Sequence, residues 1–140
     1  MEESIRQEFE LTGQRPESLA PHSLAYLGDA VYEVVIRSVI VEKGDVPAKK
    51  MNQEAVGFAR ASAQARLIRV IREELTEEEQ EIFRRGRNAN PGTRSKHSSM
   101  SEYRMATGFE ALIGWLYLKG ENERLLHLIH LGWERSSDET

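Results

Sequence analysis

The sequence predicts an all-α helical bundle, and three observations predict it. Apolar residues recur at three- and four-residue spacing through most of the chain, strand-like alternation is absent, and capping residues stand where the apolar runs begin. Composition agrees, with many charged helix formers and only four prolines in 140 residues. That length makes one domain with a real core, residues 1–140, and neither an internal repeat nor a linker divides it.

Taken in order, residues 2–11 predict a short amphipathic helix with Ile5, Phe9 and Leu11 turned inward. Thr12 to Pro21 is a connector, and Pro21 suits a helix's first turn. The next helix spans His22 to Lys43 and stops at Gly44, with Leu24, Leu27, Val31, Val34 and Val35 as its buried face. Gly28 sits inside it. A mid-helix glycine costs roughly 1 kcal/mol against alanine, which points to close approach by another backbone or a ligand.

Pro47 restarts a helix to about Ala59, apolar through Met51, Ala55, Val56 and Phe58 and polar through Lys49, Lys50, Asn52 and Gln53. Another follows from Ser62 to Glu74, and Gly57 leaves the break between them open. Thr76 with Glu79 three residues on reads as a capping box opening a helix to Arg87. Asn88 to Ser98 is a long polar loop of a kind that is often functional. Ser99 or Ser101 caps a helix through Glu110 to Leu118. The last helix, Glu123 to Glu134, is apolar on most sides and invites packing on the body or on a second chain; Ser136 to Thr140 is expected to fray.

The chain has no cysteine, which excludes disulfides and thiolate metal sites. No apolar run is long enough to span a bilayer, so no membrane partner is expected. The acidic, amphipathic N-terminus is unlike a secretory signal, and a soluble cytoplasmic protein is the expectation. The net charge of −4 argues against a nucleic-acid binder, but its distribution argues for one. Arg84, Arg85, Arg87, Arg94, Lys96 and Arg104 against Glu102 make the segment 84–104 +5, so the remainder carries −9. Such asymmetry suggests a local polyanion-binding face.

Two acids carry the candidate chemistry. Asp29 lies in the apolar helix Leu24–Arg37, and Glu110 lies in Thr-Gly-Phe-Glu-Ala-Leu-Ile-Gly-Trp-Leu. An ionised carboxylate in apolar surroundings costs several kcal/mol unless something pairs with it. Small residues flank both: Ala25 before Asp29, and Ala106, Thr107 and Gly114 about Glu110. Two such helices can approach closely and hold a hydrated Mg²⁺, which needs only one or two carboxylates. The plain alternatives are an arginine partner for Asp29 and a partly buried helix acid for Glu110. Glu33 reads as the i, i+4 partner of Arg37.

Tyr26-Leu27-Gly28-Asp29-Ala30-Val31 resembles the signature of the ribonuclease III family, and Phe109-Glu110-Ala111-Leu112-Ile113-Gly114 resembles its second acidic motif. Their order and separation also fit, and the likeness covers essentially the whole chain. The resemblance implies an all-helical dimeric nuclease domain that cuts double-stranded RNA with Mg²⁺, Mn²⁺ being a substitute. With the chain ending at Thr140, no double-stranded RNA-binding domain is expected. That points to the branch of the family that trims the stem of precursor 23S ribosomal RNA. Asp29 and Glu110 then take the roles of the two essential metal-binding, catalytic acids, and Tyr26 falls where larger members carry an aromatic knob for the partner subunit. Larger members have a further acid where this chain has Ala25, and an aspartate where it has Thr107. The metal cage is thinner here, which leaves the number of ions open, though the Thr107 hydroxyl can still hold a water.

By the same resemblance each site hydrolyses one strand of the duplex, and the 3′-oxygen leaves. Arg84, Arg85, Arg87, Arg94 and Lys96 are expected to grip phosphates, since A-form RNA is read through its minor groove, its 2′-hydroxyls and its phosphates. The plain alternative for Arg84 and Arg85 is complementing a helix C-terminus. His97 is a further phosphate donor at most; His22, His127 and His130 read as packing or surface residues. The competing functional reading is a non-catalytic helical RNA-binding or ribosome-assembly adapter, and a third is a purely structural helical dimer.

Overall fold

A computed structural model describes residues 1–89 and 99–138. Its elements, among the described residues, are all helical: α1 (Glu2–Glu8), α2 (Pro21–Glu42), α3 (Ala48–Ala59), α4 (Ala61–Ile71), α5 (Glu77–Asn88), α6 (Met100–Leu118) and α7 (Asn122–Asp138), with short 3-10 turns at Pro16–Ser18 and Arg72–Glu74. None is long and apolar enough to cross a membrane.

Helix α6 is the axis of the bundle. Its Phe109, Ala111, Leu112, Ile113, Trp115 and Leu116 are all buried, so apart from Glu110 its C-terminal half is apolar all round, as a central helix requires. Helices α2, α5, α4 and α7 pack around it. The closest crossing is with α2. A Cβ added to Gly28 would overlap the Glu110 carbonyl and lie 2.8 Å from the Gly114 nitrogen; one added to Gly114 would overlap the Leu24 carbonyl. The mid-helix glycine is therefore explained by backbone approach.

The local signals locate the helix ends. Thr76 accepts from the Glu79 N–H at 3.1 Å, and Glu79 accepts from the Thr76 N–H at 2.8 Å. Ser99, rather than Ser101, caps α6 and makes the same reciprocal pair with Glu102. Gly57 stays inside α3; the break comes at Arg60, whose extended backbone (ψ 152°) separates α3 from α4.

Three expectations about faces need correction. In α2 the buried series is Leu24, Ala25, Gly28, Tyr32, Ile36 and Ile40, while Val34 faces solvent. The glycine crossing turns that i, i+4 row onto α6. In and just after α1, Ile5, Phe9 and Leu11 are exposed, Phe9 by 69 %. This helix ends early, with Glu10 at a positive φ of 52°, and docks instead through Arg6 donating to the Leu118 carbonyl. Helix α7 runs on through Ser136 to Asp138, and buries one stripe, Leu125, Leu128 and Ile129, leaving Leu126 outside.

Polar ties lock α7 down. Arg124 donates from Nε and Nη2 to the two Glu79 carboxylate oxygens at 2.9 and 2.8 Å, and also to the Glu74 carbonyl. Burial pushes the Glu79 carboxyl up, but the Arg124 guanidinium and the Thr76 N–H hold it below the usual range. Trp133 Nε1 donates to the Tyr32 hydroxyl at 2.9 Å, and burial raises that phenol to about 12.

Candidate acidic site

The α2–α6 crossing brings Asp29 and Glu110 together, although eighty-one positions separate them in sequence. Their carboxyl groups are within hydrogen-bonding reach of each other. Asp29 is exposed and Glu110 half-buried, so the acid in the apolar motif is the one turned to water. Neither is paired with an arginine among the described residues, and Glu33 is held by Arg37 at 3.0 Å. Glu110 is pushed up to about 8 by burial, then by the Asp29 charge and the hydrogen bond to Asp29, against a smaller lowering by Gln64. Two adjacent carboxyl groups, one of them raised by the charge of the other, are a site of concentrated negative charge with no arginine or lysine paired to it among the described residues.

The pair opens into a cavity of about 310 Å³. Ala25, Gly86 and Ala89 keep its walls small, and His22, Tyr26, Tyr103, Arg104 and Thr107 complete them. The Thr107 hydroxyl donates to the Tyr103 carbonyl at 2.9 Å, which leaves its oxygen free to accept from a water. Among the described residues no group of three or more acidic, histidine or cysteine side chains is poised to hold a metal ion. The donors here are oxygens: two carboxylates and a hydroxyl. That set fits a hard divalent cation that keeps several waters.

The basic segment divides by residue. Arg85 donates to the Glu17 and Leu19 carbonyls, both at 3.1 Å, and pins the α1–α2 connector to α5. It therefore serves as an internal clamp, where the sequence suggests a phosphate donor. Arg84 is exposed but paired with Glu81 at 3.0 Å. Arg87 lies over the Phe83 ring and donates to Asn88. Arg94, Lys96 and His97 lie outside the described residues. Tyr26 is 85 % exposed at the cavity's edge.

Two residues at the site were not among the expected site residues, although Arg104 belongs to the basic segment. Arg104 is exposed, lines both the acidic cavity and a neighbouring depression with Arg87 and Asn88, and has no carboxylate partner among the described residues. Its signal was its place, two turns before Glu110 on one helix. Gln64 donates to Glu110 at 3.3 Å from α4. Its signal was a polar residue on the apolar stripe of Ala65, Leu67 and Ile68.

The ribonuclease III domain family matches residues 22–121 of this chain. The chain is 46 % identical over 123 residues to Mini-ribonuclease 3 of Clostridium tetani, covering 87 % of this chain and 82 % of that one. It is 47 % identical over 109 residues to Mini-ribonuclease 3 of Streptococcus pneumoniae, covering 76 % and 85 %. Among solved structures, a Fusobacterium nucleatum protein superimposes with a TM-score of 0.77 at 27 % identity, over 87 % of this chain and 98 % of that one.

Proposed function

This chain belongs to the ribonuclease III family, in its Mini-ribonuclease 3 branch, and is an endoribonuclease of that type; on that premise we propose that Asp29 and Glu110 form its metal-dependent hydrolytic site. The observation that carries this reading is the meeting of the two acids in one open cavity, with neither held by an arginine among the described residues. Residues 1–140 act as a single catalytic domain. The substrate is double-stranded RNA, and by the motif resemblance the stem of precursor 23S ribosomal RNA, met in the cytoplasm.

Asp29 and Glu110 would hold a Mg²⁺ or Mn²⁺ ion through their carboxylate oxygens, and Thr107 would accept from one of its waters. When bound, such an ion supplies an activated water and neutralises charge at the phosphodiester. Glu110, raised by burial and by Asp29, would give up its proton to take that role. Arg104 lies beside the pair, with no carboxylate partner among the described residues, and suits a phosphate oxygen of the bound strand. With Arg87 and Asn88 in the next depression, it marks a course for the backbone away from the acids. Water adds at phosphorus, the bond to the 3′-oxygen breaks, and that oxygen leaves with a proton. Tyr26, a large exposed aromatic, supports a homodimer in which each subunit cuts one strand.

The test is a duplex RNA incubated with the protein and Mg²⁺ or Mn²⁺. Wild type should cut, and chelation should stop it. Asp29→Asn should retain the duplex and leave it intact. Full cleavage by Asp29→Asn, or none by wild type with either ion, rejects the assignment.

A further inference from the structure

Gln64 is only 2 % exposed, in the first turn of α4. A buried primary amide is expensive unless its donors are matched. Both hydrogens of Nε2 are used: one bond runs 2.8 Å to the Ala59 carbonyl, the other 3.3 Å to Glu110 Oε2. The Ala59 bond occupies a carbonyl at the C-terminal end of α3, where helices leave acceptors unpaired. It also anchors the amide so that its second hydrogen must face Glu110. The amide oxygen, by contrast, is buried with no hydrogen-bond donor. For packing alone, methionine or leucine would suit this stripe better. The amide is matched only on the side that faces the acidic site.

We propose that Gln64 is a positioning residue that holds the Glu110 carboxylate toward Asp29 and so sets the geometry in which a hard divalent cation is bound. Glu110 reaches the cavity on a flexible side chain, and Asp29 is a poor anchor for it because like charges repel. A neutral donor on a third helix fixes the carboxylate without adding charge. Glutamate at this position would supply no donor and a third negative charge. The inference rests on the hydrolytic reading above, and the experiment separates their failures.

Gln64→Met keeps length and volume and removes the donors. Binding of Mn²⁺ to the RNA-free protein is measured by electron paramagnetic resonance, alongside cleavage rate, duplex retention in chelator and thermal melting. Loss of a hydrogen bond to a metal-binding carboxylate typically weakens metal affinity 10–100-fold. Gln64→Met should therefore bind Mn²⁺ about tenfold more weakly. It should need correspondingly more Mn²⁺ for half-maximal cleavage, and retain duplex in chelator like wild type. Wild-type protein that neither binds Mn²⁺ nor cuts overturns the hydrolytic reading and this inference with it. Wild type that does both, with Gln64→Met within twofold of it, overturns this inference alone. If Gln64→Met does not fold, the side-chain amide resonance of Gln64 in the wild-type chain decides. It should shift on Mg²⁺ titration and stay still in Glu110→Ala; no shift in wild type overturns the proposal.

Discussion

Gly28 of α2 and Gly114 of α6 pack backbone to backbone, and this contact sets Asp29 beside Glu110. A side chain at either position meets main chain, which cannot rotate out of the way. Gly28→Ala gains about 1 kcal/mol in helix propensity. Overpacking typically costs about 1–3 kcal/mol, and more where the neighbour is rigid. The overlap wins. Chemical denaturation should show a net loss of up to about 2 kcal/mol, with cleavage reduced in step. An unchanged midpoint would refute the tight crossing.

The metal-free protein should lose stability as pH rises. Glu110 is raised from its ordinary 4.5 to about 8, so between those values the folded state holds a proton that the unfolded state has released. This contribution is complete below the unfolded value and is lost as pH climbs through the folded one. Melting in chelator from about pH 5 to about pH 9 should trace the decline, and Asp29→Asn should make it shallower by removing the neighbouring charge. Divalent cation should offset the loss at the alkaline end. Identical profiles for wild type and Asp29→Asn would contradict the effect of Asp29 on Glu110.

Breaking the Glu79–Arg124 pair should unfasten α7. Glu79 is 4 % exposed and serves both the Thr76 cap and the Arg124 guanidinium. Glu79→Ala leaves an arginine and a helix N-terminus without their acceptor, a loss of about 2–4 kcal/mol. Calorimetry on Glu79→Ala and Arg124→Ala, with the double variant, should give strong coupling. Additive losses would show that the two side chains act separately.

Arg85 and Arg104 should behave in opposite ways. Arg104→Ala should weaken duplex binding and reduce the slope of log affinity against log salt by about one, with melting unchanged. Arg85→Ala removes two charge-assisted bonds to carbonyls and should lower stability by about 1–3 kcal/mol, with little change in salt slope. A salt-binding series on both variants checks this; equal slopes for the two would remove Arg104 from the RNA path.

Much of this molecule is legible in the chain. The Thr76–Glu79 box and the Ser99 cap act over a few residues, and each closes through bonds spanning three positions. The Glu33–Arg37 pair is readable for the same reason. Helix faces are less so: Val34 and Phe9 sit at apolar spacing, yet which row is buried depends on where the neighbouring helix crosses. The roles of the arginines were invisible as well. Arg84, Arg85 and Arg87 are near neighbours, but one pairs on its own helix, one clamps a distant connector and one lies over Phe83.

Sequence by itself determined the all-helical class, the two capped helix starts and the two acids worth watching, because capping and periodicity are properties of neighbouring residues. Only the tertiary structure decided that the acids share a cavity, that Asp29 rather than Glu110 faces water, and that Gln64 reaches Glu110 from a third helix. Those outcomes come from the contact of two glycine backbones and the packing of α4 on α6, and no local pattern encodes a distance between remote segments.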